Sequence, residues 1–438
     1  MQGNVIQLTD IRHLSGNPSI LCHPPRHAQA DRGAPESKQH FQLRHGIRHD
    51  VTVTNEITIE TDFSSASAGA IREIGPRRFE VDYKPETLPD WFQAVLDRFW
   101  DGGGVPKEYM FHVRVRNNTD VPQETALSFL FSPVGQSYLD LPWWIRSDGP
   151  WLPLDGSSIH VDAGQYQHLD VTLSLAPREI MSVASAPYES PETVDQWMRA
   201  VAMDLPDWTT REIGRTAAKR PILALESPPR PAKLLATATM QGCEPTWMGL
   251  LHTARAWASD DLADLSDRVQ LCVVPLTNPD GLAEGFSVIN GVGEVPKFST
   301  HLACAGEPAP LETQAMWDYL DQLRPQARIE MHAHFTDPNF TRSIGMHEIE
   351  AMPETIQPMG RAVERSLDAH YHHDGSSNRR VRIDPRIDEH DVYGVRETAE
   401  RFGIVEIFLQ AIAEDLDDHN ADVLACVTTV ASAMIRPA

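Results

Sequence analysis

The sequence predicts an antiparallel β-sandwich followed by an α/β domain with a mainly parallel mixed sheet. Two observations predict it. From Val51 to about residue 190, short segments alternate apolar and polar residues with period two. After Pro191, short apolar strands alternate with helical segments. The chain has 438 residues, 41% of them hydrophobic, which is enough for two domains with cores of their own.

Residues 1–48 mix His, Arg, Pro, Gly and Ser without periodicity, and "CHPPRHAQADRGAPESKQH" lacks the apolar content to pack. A flexible, His-rich extension is predicted there. Residues 49–190 contain "VTVTNEITIETDF", "RRFEVDYK", "EYMFHVRVRNNT", "ETALSFLFSP" and "HLDVTLSLAP", each bounded by turn-forming residues, and are assigned to the sandwich. Trp143, Trp144 and Trp151 are expected to pack against a sheet or the neighbouring domain.

Residues 191–438 form the second domain. "ETVDQWMRAVAM" and "PTWMGLLHTARAWAS" read as helices, and "PILALES", "KLLATATM" and "VQLCVVPLT" as strands. "ETQAMWDYLDQL", "ARIEMHAHF", "IQPMGRAVERSLDAHY", "GIVEIFLQAI" and "ADVLACVTTVASAMI" continue the alternation.

The formal net charge of -24 sets up a field that repels nucleic acid and anionic membrane surfaces, so neither is an expected partner. Five scattered cysteines without C-x-x-C spacing suit a reducing compartment and are read as free thiols. "MQGNVIQLTDIRHLSG" shows no long apolar stretch behind a basic flank, and no later run reaches membrane-spanning length. A cytoplasmic protein is the expectation.

Four stretches in the second domain stand in a suggestive order: "REIGRTAAKRPILALES" (211–227), "MQGCEP" (240–245), "VVPLTNPDGL" (273–282) and "RIEMHAHF" (328–335). Together they resemble the zinc metallocarboxypeptidases, with their H-x-x-E, N-P-D-G and D-x-H motifs. The sandwich in front and the H-x-H strand narrow the likeness to the cytosolic carboxypeptidase branch. It covers roughly residues 195 to 438.

The resemblance implies metal-assisted hydrolysis of a peptide or amide bond, with one zinc ion and a peptide or small acylated amine as substrate. A catalytic zinc takes three protein ligands and keeps a fourth position for water. Position by position, the resemblance makes Gln241, Glu244 and His332 the metal ligands. Gln241 departs from the family, since its neutral amide is a poorer zinc ligand than imidazole and should weaken binding. Cys243 is a soft donor in the same turn, and His334 lies one pleat beyond His332. Glu330, where the family shows aspartate, can accept a hydrogen bond from a ligand histidine and set its tautomer. Asn278 and Asp280 are read as turn scaffold.

Glu406 is the candidate general base, facing the same way as Phe408 and Gln410. Counting from Gly403, however, places Gln410 at the family's customary base position, and an amide cannot take a proton. Gln410, Arg380 and Tyr393 are the candidate substrate-binding residues. The family's substrate arginines have no counterpart in "LAEGFSVINGVGEVPKFSTHLACAGEP", whose one cation is Lys297. Arg379, Arg380 and Arg382 of a predicted loop offer charge from another direction. The alternative reading is a catalytically impaired pseudo-peptidase acting as a binding or scaffold protein.

Overall fold

The computed structural model describes residues 56–99, 110–131, 143–155, 159–162, 168–334, 343–346, 349–371, 380–383, 395–412 and 415–435. The predicted extension, residues 1–48, and Tyr393 lie outside the described residues.

The N-terminal part holds two five-stranded sheets. One has the spatial order β1 (Ile57–Glu60), β4 (His112–Asn117), β10 (Ile180–Ala184), β6 (Trp144–Arg146), β7 (Leu152–Pro153). The other runs β2 (Ile71–Gly75), β3 (Arg78–Asp82), β5 (Gln123–Leu130), β9 (His168–Leu175), β8 (Ile159–Asp162). Alternation along β5 and β9 buries Leu127, Phe129, Leu169, Val171 and Leu173, which share one apolar cluster with Ile57, Ile59, Val113, Val115 and Val183. One pair departs from the antiparallel expectation. β3 and β5 are parallel, because the intervening β4 belongs to the other sheet.

The three tryptophans divide between the two expected roles. Trp143 is fully buried within this cluster, its ring 4.4 Å from that of Phe129. Trp144 and Trp151 belong instead to the cluster that continues into the C-terminal part.

His112 on β4 is buried. Its Nδ1 donates to the Ser65 carbonyl at 3.1 Å, and its ring lies 5.5 Å from that of Trp151. Burial, with Arg146 and Arg114 adding to it, pushes the imidazole down to about 3. The folded state therefore keeps His112 neutral, whereas the unfolded chain takes up a proton below about 6.5. Stability is thus fully present above pH 6.5 and is lost as pH falls from there towards 3, by about 1.4 kcal/mol per pH unit. Urea midpoints at pH 7 and 5 should fall further apart in the wild type than in His112→Asn. Equal shifts in both proteins would refute this assignment.

The C-terminal part is built on an eight-stranded mixed sheet. Its strands are β11 (Thr209–Arg215), β12 (Pro221–Glu226), β13 (Ala232–Ala238), β14 (Val269–Val274), β15 (Ala327–His334), β16 (Ser343–Met346), β17 (Arg380–Ile383) and β18 (Val405–Ile412). Their order is β11-β12-β14-β13-β15-β18-β16-β17. The central strands β14, β13, β15 and β18 are parallel, and β12 and β16 flank them antiparallel. Helices cover both faces, so β14 is buried at every residue, as parallel strands usually are. Helices Trp247–Trp257, Gln357–Tyr371 and Leu416–Ile435 pack on one face, and Leu311–Leu323 on the other. The predicted loop around Arg380 includes edge strand β17, consistent with the R-V-R-I alternation.

The two parts meet along a turn at residues 283–289. Ser65 N–H donates to the Ala283 carbonyl at 2.9 Å. The Glu86 carboxylate accepts the N–H groups of Ser287, Val288 and Ile289, the last two at 3.0 and 3.2 Å. Gly285 has φ 68°, and a Cβ there would come within 2.0 Å of the Ala66 carbonyl oxygen, so a side chain fits neither the backbone nor the seam. No disulfide joins the four described cysteines. No described helix is long and apolar enough to cross a membrane.

Candidate active site

Alternation along β15 puts Arg328, Glu330 and His332 on one face, and along β18 it does the same for Glu406, Phe408 and Gln410. The strands are parallel and in register, pairing Arg328 with Glu406, Glu330 with Phe408, and His332 with Gln410. The opposite faces, from Ala327 to Ala333 and from Val405 to Ala411, are apolar and lie in the main core. Every polar group of the pair therefore faces one way.

The turn after β13 brings Glu244 to this row. Gly242 is required in it, because a Cβ would meet the Phe286 carbonyl oxygen at 2.3 Å. Thr246, just before helix Trp247–Trp257, ties the turn to β15 by donating its hydroxyl to the Met331 carbonyl at 3.1 Å. Glu244 Oε2 and His332 Nδ1 are in direct hydrogen-bond contact, and both side chains are buried. Asn278 braces the same turn, accepting from Gly281 N–H at 2.9 Å and donating to the Met240 carbonyl at 3.2 Å. Asp280 accepts from Thr216, Ala218 and Arg220. Both residues serve the scaffold.

Lys297 completes the cluster from the helical turn Pro296–Phe298, with its side chain only 4% exposed. Its Nζ lies 2.6 Å from Glu330 Oε1 and 2.6 Å from His332 Nε2. The Phe408 ring is 4.9 Å from this ammonium and 4.5 Å from the imidazole. His332 Nε2 also lies 2.9 Å from Glu330 Oε1, so one ring nitrogen meets Glu244 and the other meets Lys297 and Glu330. Both ring nitrogens are thereby engaged within the cluster.

Two carboxylates flank Arg328. Its Nη2 is 3.3 Å from Glu330 Oε2, and its Nη1 is 3.7 Å from Glu406 Oε1. Burial works to raise the Glu330 carboxyl, but Lys297, the His332 hydrogen bond and Arg328 hold it well below the usual range. For Glu406 burial prevails, and its carboxyl is raised despite Arg328 and Thr398.

The remaining sequence candidates are placed as follows. Gln241 is buried in the turn, and its carbonyl accepts Glu244 N–H at 3.2 Å. The Cys243 thiol donates to the Ser287 carbonyl. Glu406 lies near the start of β18, four residues below the level of His332, or roughly 13 Å along the strand. Gln410 stands beside His332, and its amide nitrogen is sealed from solvent with no hydrogen-bond partner among the described residues. In register, Ser343 on β16 pairs with Gln410, and Arg380 on β17 with Ser343. Arg328 also belongs to this row, since period two along β15 puts it on the face of Glu330 and His332.

Solved structures similar to this chain include metallo-carboxypeptidases. One from Burkholderia cenocepacia superposes with a TM-score of 0.66 at 16% identity, over 86% of this chain and 99% of the other. One from Pseudomonas aeruginosa, in complex with (2-guanidinoethylmercapto)succinic acid, gives 0.63 at 14% identity, over 86% and 98%. The fold is that of the metallo-carboxypeptidases. No protein-family model and no curated protein matches the chain.

The metallo-carboxypeptidase fold implies a metal, and the chemistry of the donors tests that implication. The zinc of carboxypeptidase A is held by two imidazoles and a carboxylate. At the three carried-over positions this chain has one imidazole, one carboxylate and the Gln241 amide. Two donors on a tetrahedral zinc stand roughly 3.3 Å apart, whereas Glu244 and His332 are in mutual hydrogen-bond contact. Among the described residues no three His, Cys, Asp or Glu side chains form a metal cage. As arranged, these donors do not fit a zinc centre.

Proposed function

We propose that the chain is a binding protein on the metallo-carboxypeptidase fold. It holds a peptide or small acylated amine at the carboxyl ends of β13, β15 and β18 without hydrolysing it. The observation that carries this reading is the Lys297–His332–Glu244 chain, which occupies both ring nitrogens of the one imidazole at the three positions. Gln410 supports it, being an amide in register with that imidazole. Its unpartnered N–H faces the same row and suits the carbonyl or carboxylate oxygen of a peptide. The Pseudomonas aeruginosa neighbour holds (2-guanidinoethylmercapto)succinic acid, a ligand that carries carboxylates.

A specific observation also favours the hydrolase reading, with one zinc on Gln241, Glu244 and His332 and with Glu406 as base. Glu406 is a buried carboxyl raised by burial, the direction a proton acceptor working near neutral pH requires. Metal analysis and a panel of peptides and acylated amines distinguish the two. The binding reading expects far less than one zinc per chain, saturable ligand binding and no product. About one zinc per chain, with turnover abolished in Glu244→Ala, would replace it with the hydrolase.

A further inference from the structure

We propose that Arg114 and Arg146 form a binding site for an oxyanion, a carboxylate or phosphate group, on the outer face of the first N-terminal sheet. The site is separate from the polar cluster of β15 and β18, so it stands or falls independently of the reading above.

Strand register brings the two side chains to one place. On β4, Val113 and Val115 face the sandwich core, which turns His112, Arg114 and Arg116 the other way. Across the sheet Arg114 pairs with Glu60 on β1 and with Ser182 on β10, and Ser182 pairs in turn with Arg146 on β6. The two arginines therefore stand two strands apart, roughly 10 Å between backbones, with the small Ser182 between them. Each guanidinium lies against an aromatic ring, Arg114 at 4.0 Å from the centre of Phe63 and Arg146 at 4.6 Å from that of Trp151. Those rings flank the His112 imidazole at 4.8 and 5.5 Å. Phe63, His112 and Trp151 thus make a wall with one cation at each end.

The carboxylates nearby are already engaged. Glu60 is taken by Arg116 at 2.6 Å, and Glu189 by Arg146 Nη1 and by Trp151 Nε1, the latter at 3.1 Å. Among the described residues Arg114 makes no hydrogen bond or ion pair, and Arg146 uses only one of its nitrogens. Burial opposes the charge of Arg114, Glu60 and Glu189 favour it, and Arg146 and Arg116 repel it. An oxyanion that accepts from both guanidinia offsets that repulsion, and the planar fork of arginine matches carboxylate and phosphate oxygens.

The test titrates the full chain with inorganic phosphate and, separately, with succinate at constant ionic strength, read by calorimetry and by tryptophan fluorescence, since Trp151 stacks on Arg146. The wild type is expected to bind at least one of the two saturably, and the tighter of them names the group. Arg114→Gln should weaken that binding at least about tenfold. Arg146→Lys keeps a cation beside Glu189 but loses the fork, and should weaken it several-fold. Arg114→Lys replaces the glutamine variant should that fail to fold, with a several-fold loss expected. Arg72→Gln, on the other sheet, should bind as the wild type does. No saturable binding of either anion, unchanged affinity in the folded Arg114 variant, or an equal loss in Arg72→Gln would overturn the proposal.

Discussion

Replacing Arg328 with methionine is expected to destabilise the protein by about 3–5 kcal/mol, the cost of stripping the partner from a buried ion pair. Arg328 is 7% exposed and stands between Glu330, 18% exposed, and Glu406, 8% exposed. Methionine matches the aliphatic stem, so the loss would come from two carboxylates left facing each other across β15 and β18 with one cation fewer. The double variant Arg328→Met/Glu406→Gln should recover about 1–3 kcal/mol, because one of those charges is then gone. Urea unfolding of the four proteins of the cycle gives both numbers. A single-variant loss under about 1 kcal/mol would mean that water reaches the row.

Glu86→Ala is expected to cost about 2–4 kcal/mol and to loosen the seam between the two parts. Its carboxylate is the acceptor for three consecutive backbone N–H groups, and a buried donor stripped of its partner costs about 1–3 kcal/mol. Alanine leaves Ser287, Val288 and Ile289 without that acceptor, although some regain water. Hydrogen exchange at these three amides should accelerate more than at β14, whose ladder does not depend on Glu86. Unchanged exchange would show that Glu86 does not hold the turn.

Much of this molecule was legible from local pattern. Period two in "ETALSFLFSP" and "HLDVTLSLAP" identified β5 and β9, and the apolar run "VQLCVV" identified a strand buried on both sides. The same periodicity places Glu406, Phe408 and Gln410 on one face. It did not show which of Glu406 and Gln410 stands beside His332, because register between strands is set by the packing of both faces and not by either strand alone. Likewise, the parallel pairing of β3 with β5 follows from the route of β4 through the other sheet.

The amino-acid sequence by itself determined the fold class, the order of its elements and the residue types present at the site. Its signals are short-range: side-chain direction repeats every two residues in a strand, and turns are written in adjacent letters. Tertiary structure alone decided that Lys297 reaches His332 across 35 residues and that Glu244 closes on the other ring nitrogen across 88. The protonation pattern of an imidazole depends on which donors and acceptors surround it in space, and chain spacing carries no record of that.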